Sequence, residues 1–503
     1  MKFSLQSVTL WAVLPLGVIA DEAFVAGGAG TCCKGLKLLL GDKVSTEGDP
    51  AYSSSLESYY SNLNVEITPS CIVTPTTKEH VALSVFVLNI GSKLLPGRCN
   101  FAVRSGGHST VPGANNIQDG VTIDMSKLNH VTVSKDRKTV EVGAGNRWVN
   151  VYSQLDPQGL TVVGGRVDTV GVSGLITGGG ISYFSPRYGY AVDSVDNFEI
   201  VLASGRIVNA NSRDNADLWK ALKGGSGNFG IVTSFRLRAY QQGLLWGGQV
   251  TLDVATIDKQ CAIFESLTGS QDYDPYASWM FSLAYMQDSK SWIAGHNLVY
   301  TRPEANPAVF KPLLDLPQTY NTAAVKNLTT LTLELGYPNP FGRRQSMSTA
   351  TFRNSAALMR EITKIGMAKF AGVANVPNVS YSVTFQPLPV VINSKAASTG
   401  GNSLGLDASD GPLVNLVLNF AWDDKSADAS IRATEKAFFA EVNAKAKAMG
   451  RSHAYQYLNY AAAWQDPIAG YGPDVKKTLQ AASRKYDPTG LFQRNAPGGF
   501  KLF

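Results

Sequence analysis

The chain has 503 residues, 44% of them hydrophobic, enough for two domains or one large domain with an insertion. Its 45 Lys+Arg and 39 Asp+Glu are interspersed, and the net charge of +6 includes no basic tract. That argues against a nucleic-acid partner, which needs a concentrated positive face. Glycine is high at 48 residues, and many of them cluster between Gly143 and Gly230, a distribution that marks tight turns or close backbone approach to a ligand.

At the N-terminus Lys2 precedes an apolar run over residues 8–19, interrupted by Pro15, with Val18-Ile19-Ala20 at its end as a small-residue cleavage site before Asp21-Glu22. The run is too short to span a bilayer comfortably, so residues 1–20 read as a removed signal peptide. A secreted protein, or one in the lumen of the secretory pathway, is expected, with no membrane partner in the mature form. Cys32, Cys33, Cys71 and Cys99 lie in the first hundred residues, and Cys261 stands apart. In an oxidising compartment the four form two bridges that tie an N-terminal lead over 21–66 to the domain after it. Cys32 and Cys33 are adjacent, so each is expected to pair with Cys71 or Cys99, in an order the sequence leaves open. Cys261, on a helical stretch, reads as a buried free thiol. Asn327-Leu-Thr and Asn378-Val-Ser are glycosylation sequons.

Residues 77–90 have helical spacing of apolar side chains. Phe101-Ala-Val is a short buried strand running into Arg104-Ser105-Gly106-Gly107-His108-Ser109. Two adjacent glycines let the backbone turn and present its N–H groups to a phosphate, with a nucleophilic ring next to them. Strands at 121–124, 131–133 and 139–143 alternate and read as half-buried. Residues 147–155 form a short helix and 160–163 return to strand.

The stretch from Gly164 to Asp193 is glycine-dense but keeps apolar residues between its glycines. Its backbone is expected to press against something flat or anionic, and a nucleotide cofactor is both. It is not the dinucleotide GxGxxG arrangement, because no strand-to-helix context with a following ribose carboxylate is visible. A hairpin is expected over 196–208, turning at Ser204-Gly205. A short helix then ends in Gly224-Gly225, and a strand starts at Gly230-Ile231-Val232.

The ordered set RSGGHS, TVGVSGLITGGG, YGYAVDSV and WKALKGGSGNFGIVTSF, with Tyr457-Leu-Asn459-Tyr460 near the end, resembles FAD-linked oxidases with a PCMH-type FAD-binding domain. More narrowly it resembles the berberine-bridge-enzyme-like group and its fungal members. The resemblance implies an α+β fold with a two-part FAD domain over 67–240. It places a substrate domain over 241–451, an antiparallel sheet backed by helices, and returns residues 452–503 to the FAD domain. It also implies that Arg104 to Ser109 hold the pyrophosphate and that His108 carries FAD covalently. Thr169, Val170, Gly171, Gly174, Gly178, Gly179 and Gly180 would lie along the flavin. Asp193, Gly230, Ile231 and Val232 would close the adenine end, with Tyr457 and Asn459 holding the flavin. Val167 stands where many members have a second, cysteine link, so His108 would be the sole tether. Val170 occupies the family's oxygen-gating position.

The substrate domain shows strands at 278–285, 292–300, 379–385 and 413–422 and helices at 356–370 and 427–449. Residues 396–411 read as a mobile surface loop. Tyr460 is the expected base. At the ordinary tyrosine pKa of ~10 it needs a nearby positive charge or hydrogen-bond donor. Tyr183, Trp292, Tyr300, Tyr381 and Gln386 are candidate pocket residues. No metal is expected, because the histidines lack ligand spacing. The implied activity passes a hydride from a small organic substrate, such as a secondary metabolite, to flavin N5, and O2 becomes H2O2. An oligosaccharide oxidase and a flavoprotein cyclase without net redox are the alternatives, and a monomer is expected.

Overall fold

A computed structural model of the chain describes residues 29–503 except positions 288 and 339. The expected signal peptide lies outside the described residues. The chain builds two hydrophobic cores, one from the two ends of the chain and one from its middle. The helix Gly30–Leu40 opens the first, with Cys32 bridged to Cys99 and Cys33 to Cys71. Thr77 caps the helix Lys78–Leu94, accepting from the His80 N–H.

Strands Cys71–Val73, Val121–Asp124 and Phe101–Arg104 pair in parallel in that spatial order, with Val44–Ser45 antiparallel at the edge. Val121–Asp124 is buried at all four positions rather than half-buried as expected, because an interior parallel strand is covered on both faces. Its one hydroxyl survives burial by donating to Asn116 Oδ1 at 2.8 Å. A second, antiparallel sheet orders Val131–Val133, Thr139–Gly143, Ile231–Arg238, Val195–Val201 and Ile207–Asn211, and the last pair is the expected hairpin. The strand expected over 160–163 shortens to Leu160–Thr161.

The middle of the chain forms one nine-stranded sheet whose strand pairs are antiparallel, backed by the helices Ile257–Gly269, Ala356–Phe370 and Asp428–Ala448. Two of its strands, Leu245–Leu252 and Arg344–Arg353, carry no clear apolar alternation. Ser452–His453 still pairs with this sheet, so the return to the first core begins nearer Tyr455 than Ser452. The loop over 396–411 is anchored rather than a free surface segment. Leu404 is fully buried and the Ser403 N–H donates to Lys223 O at 2.8 Å. Among the described residues, no helix is long and apolar enough to cross a membrane.

Candidate active site

A cavity of about 1650 Å³ runs between the two cores. A single small-ligand site is usually smaller, so this volume suits a large cofactor together with a substrate. One wall starts where the strand Phe101–Arg104 ends. Ser105, Gly106, Gly107, His108 and Ser109 line the cavity, as do Val167, Val170, Gly171 and Gly174 from the glycine-dense segment. These two stretches meet backbone to backbone: a Cβ on Gly106 would come 2.5 Å from Gly171 Cα. No side chain fits between them, which is why both positions are glycine. At Gly174 and Gly227, both on the cavity wall, a Cβ would meet no protein atom within 4 Å. The missing side chains leave a bare cradle, the shape an extended dinucleotide needs. Gly230, Ile231 and Val232 line the same cavity near the C-terminal tail.

His108 is stacked on Tyr60 with ring centroids 3.8 Å apart, and its Nε2 lies 3.2 Å from Thr169 Oγ1. Burial, with the Arg147 guanidinium adding to it, pulls the imidazole down to about 3. The ring is therefore neutral at physiological pH and keeps a lone pair on one nitrogen, the form a nucleophile needs. Thr169 does not line the cavity. It holds the ring from behind.

Several expected contacts fall elsewhere. Arg104 points away from the cavity: it is 2% exposed, donates to Ser55 and Ser58, and pairs with Asp124 at 3.4 Å. It braces the loop rather than touching a phosphate. Asp193 is also off the cavity, because its carboxylate accepts from the Tyr190 N–H and from Asn402 Nδ2, both at 2.9 Å, to close a turn. Gly178, Gly179 and Gly180 face protein rather than ligand. Gly178 packs on Asn459 and Gly180 on Ala191. Tyr457 and Asn459 do line the cavity, but their polar groups are engaged by the protein. The Gly180 and Ile181 N–H groups both donate to the Tyr457 hydroxyl at 3.1 Å, and Asn459 Nδ2 donates to Leu175 O at 3.0 Å. They shape the glycine segment.

Opposite the cradle, the nine-stranded sheet presents a polar face that includes Ser282, Asn297, Thr384, Gln386 and Asn419. Of the aromatic candidates Tyr381 lines the cavity, whereas Tyr183, Trp292 and Tyr300 do not. Tyr460 sits where the walls meet. Arg166 Nη2 donates to its hydroxyl at 3.1 Å and also hydrogen-bonds Gln386 Oε1, while Gln386 Nε2 donates to the Tyr460 oxygen at 3.3 Å. The positive charge expected beside Tyr460 is thus Arg166, which sequence reasoning passed over. An arginine in a glycine-rich run reads as a phosphate contact, and only the fold shows it facing Gln386 of the nine-stranded sheet.

The model of an FAD binding domain family matches residues 69–211. A relative, the FAD-dependent monooxygenase drtC of Aspergillus calidoustus, is 36% identical over 476 residues, covering 94% of this chain and 90% of its own. The chain belongs to the FAD-linked, berberine-bridge-enzyme-like oxidoreductases. Solved structures share the fold of this oxidoreductase. The xylooligosaccharide oxidase from Myceliophthora thermophila C1 superposes with a TM-score of 0.76 at 18% identity, over 94% of this chain and 99% of that one. The glucooligosaccharide oxidase from Acremonium strictum, described as carrying 6-S-cysteinyl, 8α-N1-histidyl FAD, gives 0.73 at 16% identity over 92% and 98%. The glycine cradle and the neutral His108 fit FAD. This FAD-linked oxidoreductase has valine at 167, which has no sulfur for a thioether.

Proposed function

We propose that the protein is an oxidase of a small organic substrate, with FAD attached through His108 alone and O2 as electron acceptor. One observation carries this reading: a tyrosine hydroxyl held by a buried guanidinium, in the same cavity as the glycine cradle and the neutral histidine. When bound, FAD supplies the acceptor for a hydride equivalent and a route for its electrons to O2. The protein's own residues do the rest. The polar sheet face orients the substrate, and Tyr460 takes the proton that leaves with the hydride. Arg166 stabilises the negative charge that Tyr460 carries as a base. Val170, on the cavity wall, leaves a small side chain where oxygen must approach. We further propose that the enzyme is secreted and monomeric.

A second reading is favoured by the name of the drtC relative: a monooxygenase that places an oxygen atom in the product. Turnover under ¹⁸O2 separates the two. The oxidase reading expects stoichiometric H2O2 with no label in the product, and labelled product without free peroxide would replace it. Tyr460→Phe is expected to lower kcat/KM by roughly 10²–10⁴-fold, the usual worth of a general base, with flavin content unchanged. Acid-denatured protein is expected to stay yellow, and flavin that washes off would remove the His108 bond.

A further inference from the structure

We infer that Arg166 selects substrates by a single acidic oxygen, a phenolic or enolic hydroxyl, and turns away carboxylates. The inference rests on the reading that this cavity binds a substrate beside Tyr460. Arg166 is 6% exposed and lines the cavity. Other charges on the substrate side are already neutralised. Glu334 pairs with Lys326 at 2.5 Å, and Arg343 with Asp423 at 2.8 Å. Among the described residues Arg166 has no carboxylate partner; its Nη2 hydrogen-bonds the Tyr460 oxygen and the Gln386 amide. A buried cation without a carboxylate partner is costly, so its natural complement is one negative charge on oxygen, held by Tyr460 as the base and then by the ligand that gives up its proton.

The hydrogen bonds also fix which anion. A carboxylate binds arginine best as a planar fork, on the Nη1/Nη2 edge or on the Nε/Nη2 edge. Both forks need Nη2, and its two hydrogens are spent on Gln386 Oε1 and the Tyr460 oxygen. What remains is single donation from Nη1 or Nε, which suits one oxygen atom. The proton lost by a phenol or enol has a taker at the same place. Tyr460 in its base form takes that proton, so the single negative charge passes from the tyrosine oxygen to the substrate oxygen over a fixed guanidinium. Elsewhere on the sheet face, Asn297 Oδ1 and Asn419 Oδ1 are buried acceptors without a partner among the described residues, ready for neutral hydroxyl donors on the same molecule.

The test is ¹⁹F NMR titration of the anaerobic holoenzyme with 4-fluorophenol, 4-fluoroanisole and 4-fluorobenzoate. Wild type is expected to bind the phenol at least about tenfold more tightly than the ether, the low end for a charge-assisted hydrogen bond, with the resonance moved toward the phenolate position. Arg166→Met is expected to abolish both the preference and the shift, and Arg166→Lys to keep part of each. A phenol preference that survives in Arg166→Met, or benzoate as the tightest ligand, overturns the inference. If Arg166→Met fails to fold, the wild-type ranking and the lysine variant decide. Binding needs no turnover, so failure of the oxidase reading, seen as absent peroxide, leaves this result legible on its own.

Discussion

Arg104 and Arg166 are both buried arginines placed next to glycine-rich backbone, yet they serve opposite ends. Arg104 is surrounded by Ser55, Ser58 and Asp124 and lies over the Tyr59 ring at 4.1 Å. Among the described residues Arg166 hydrogen-bonds only Gln386 and Tyr460. A guanidinium whose charge is neutralised by its own fold is architecture, and one left without a counter-ion inside a cavity is chemistry. Residue type and burial alone would have ranked them together.

That contrast can be broken, and the strongest attempt is Arg104→Ala. It leaves Asp124 buried without its cation and is expected to cost about 3–5 kcal/mol, read by urea unfolding. A loss under about 1 kcal/mol, the range of an exposed ion pair, would erase the distinction. Gly171→Ala comes next. Its Cβ would lie 2.7 Å from Gly106 Cα, and overpacking of this kind costs about 1–3 kcal/mol. Flavin content should fall with it, because the two loops cannot both keep their places.

Glu435 extends the comparison to a carboxyl. It is 1% exposed, takes a hydrogen bond from Ser346, and burial pushes it up to about 7. Unlike a guanidinium, it escapes its own charge by keeping a proton. Because the folded value lies above the unfolded one, stability is lost as pH rises from the ordinary 4.5 through 7. Glu435→Gln is expected to match the parent near pH ~4.5 and to exceed it by about 1–2 kcal/mol at pH ~8, measured by thermal melts in both buffers. Equal stabilities in the alkaline buffer would mean that the carboxylate has a partner after all. The smallest effect belongs to Arg166→Met, whose unfolding free energy should stay within about 1 kcal/mol of wild type or rise. A large loss there would make Arg166 a second Arg104.

Much of the FAD-domain wall is legible in the sequence. Two glycines before a histidine read alone as an ordinary tight turn and gain meaning only beside the later glycine segments, whereas the hairpin over Val195–Asn211 announces itself by alternation and a Ser-Gly turn. The glycine-dense segment is legible only by half. Gly164 and Gly165 make room for Trp148, and Gly178 for Asn459, so several of its glycines serve packing rather than cofactor contact. Tight backbone packing and ligand contact write the same letter. The strand Arg344–Arg353 is hidden because its few apolar residues, Met347, Ala350 and Phe352, slip phase between Met347 and Ala350 and so keep no steady alternation, and its burial comes from neighbours distant in sequence. Tyr460 is found through its motif. Its partner Arg166 is 294 residues away, beyond the reach of any local pattern.

The two adjacent cysteines carry a further consequence. Neighbours on a helix point about 100° apart, so Cys32 and Cys33 look in different directions from Gly30–Leu40. One reaches Cys99 beside Gly91, where any Cβ would strike the bridge, and the other reaches Cys71 at the head of the parallel sheet. The rotational phase of the helix therefore encodes the pairing. Exchanging the partners would require rolling the helix by about a quarter turn, which would lift Leu36 and Leu40 from the core they now fill. A shuffled isomer thus betrays itself by a displaced, greasy helix, and apolar burial proofreads the covalent bonds.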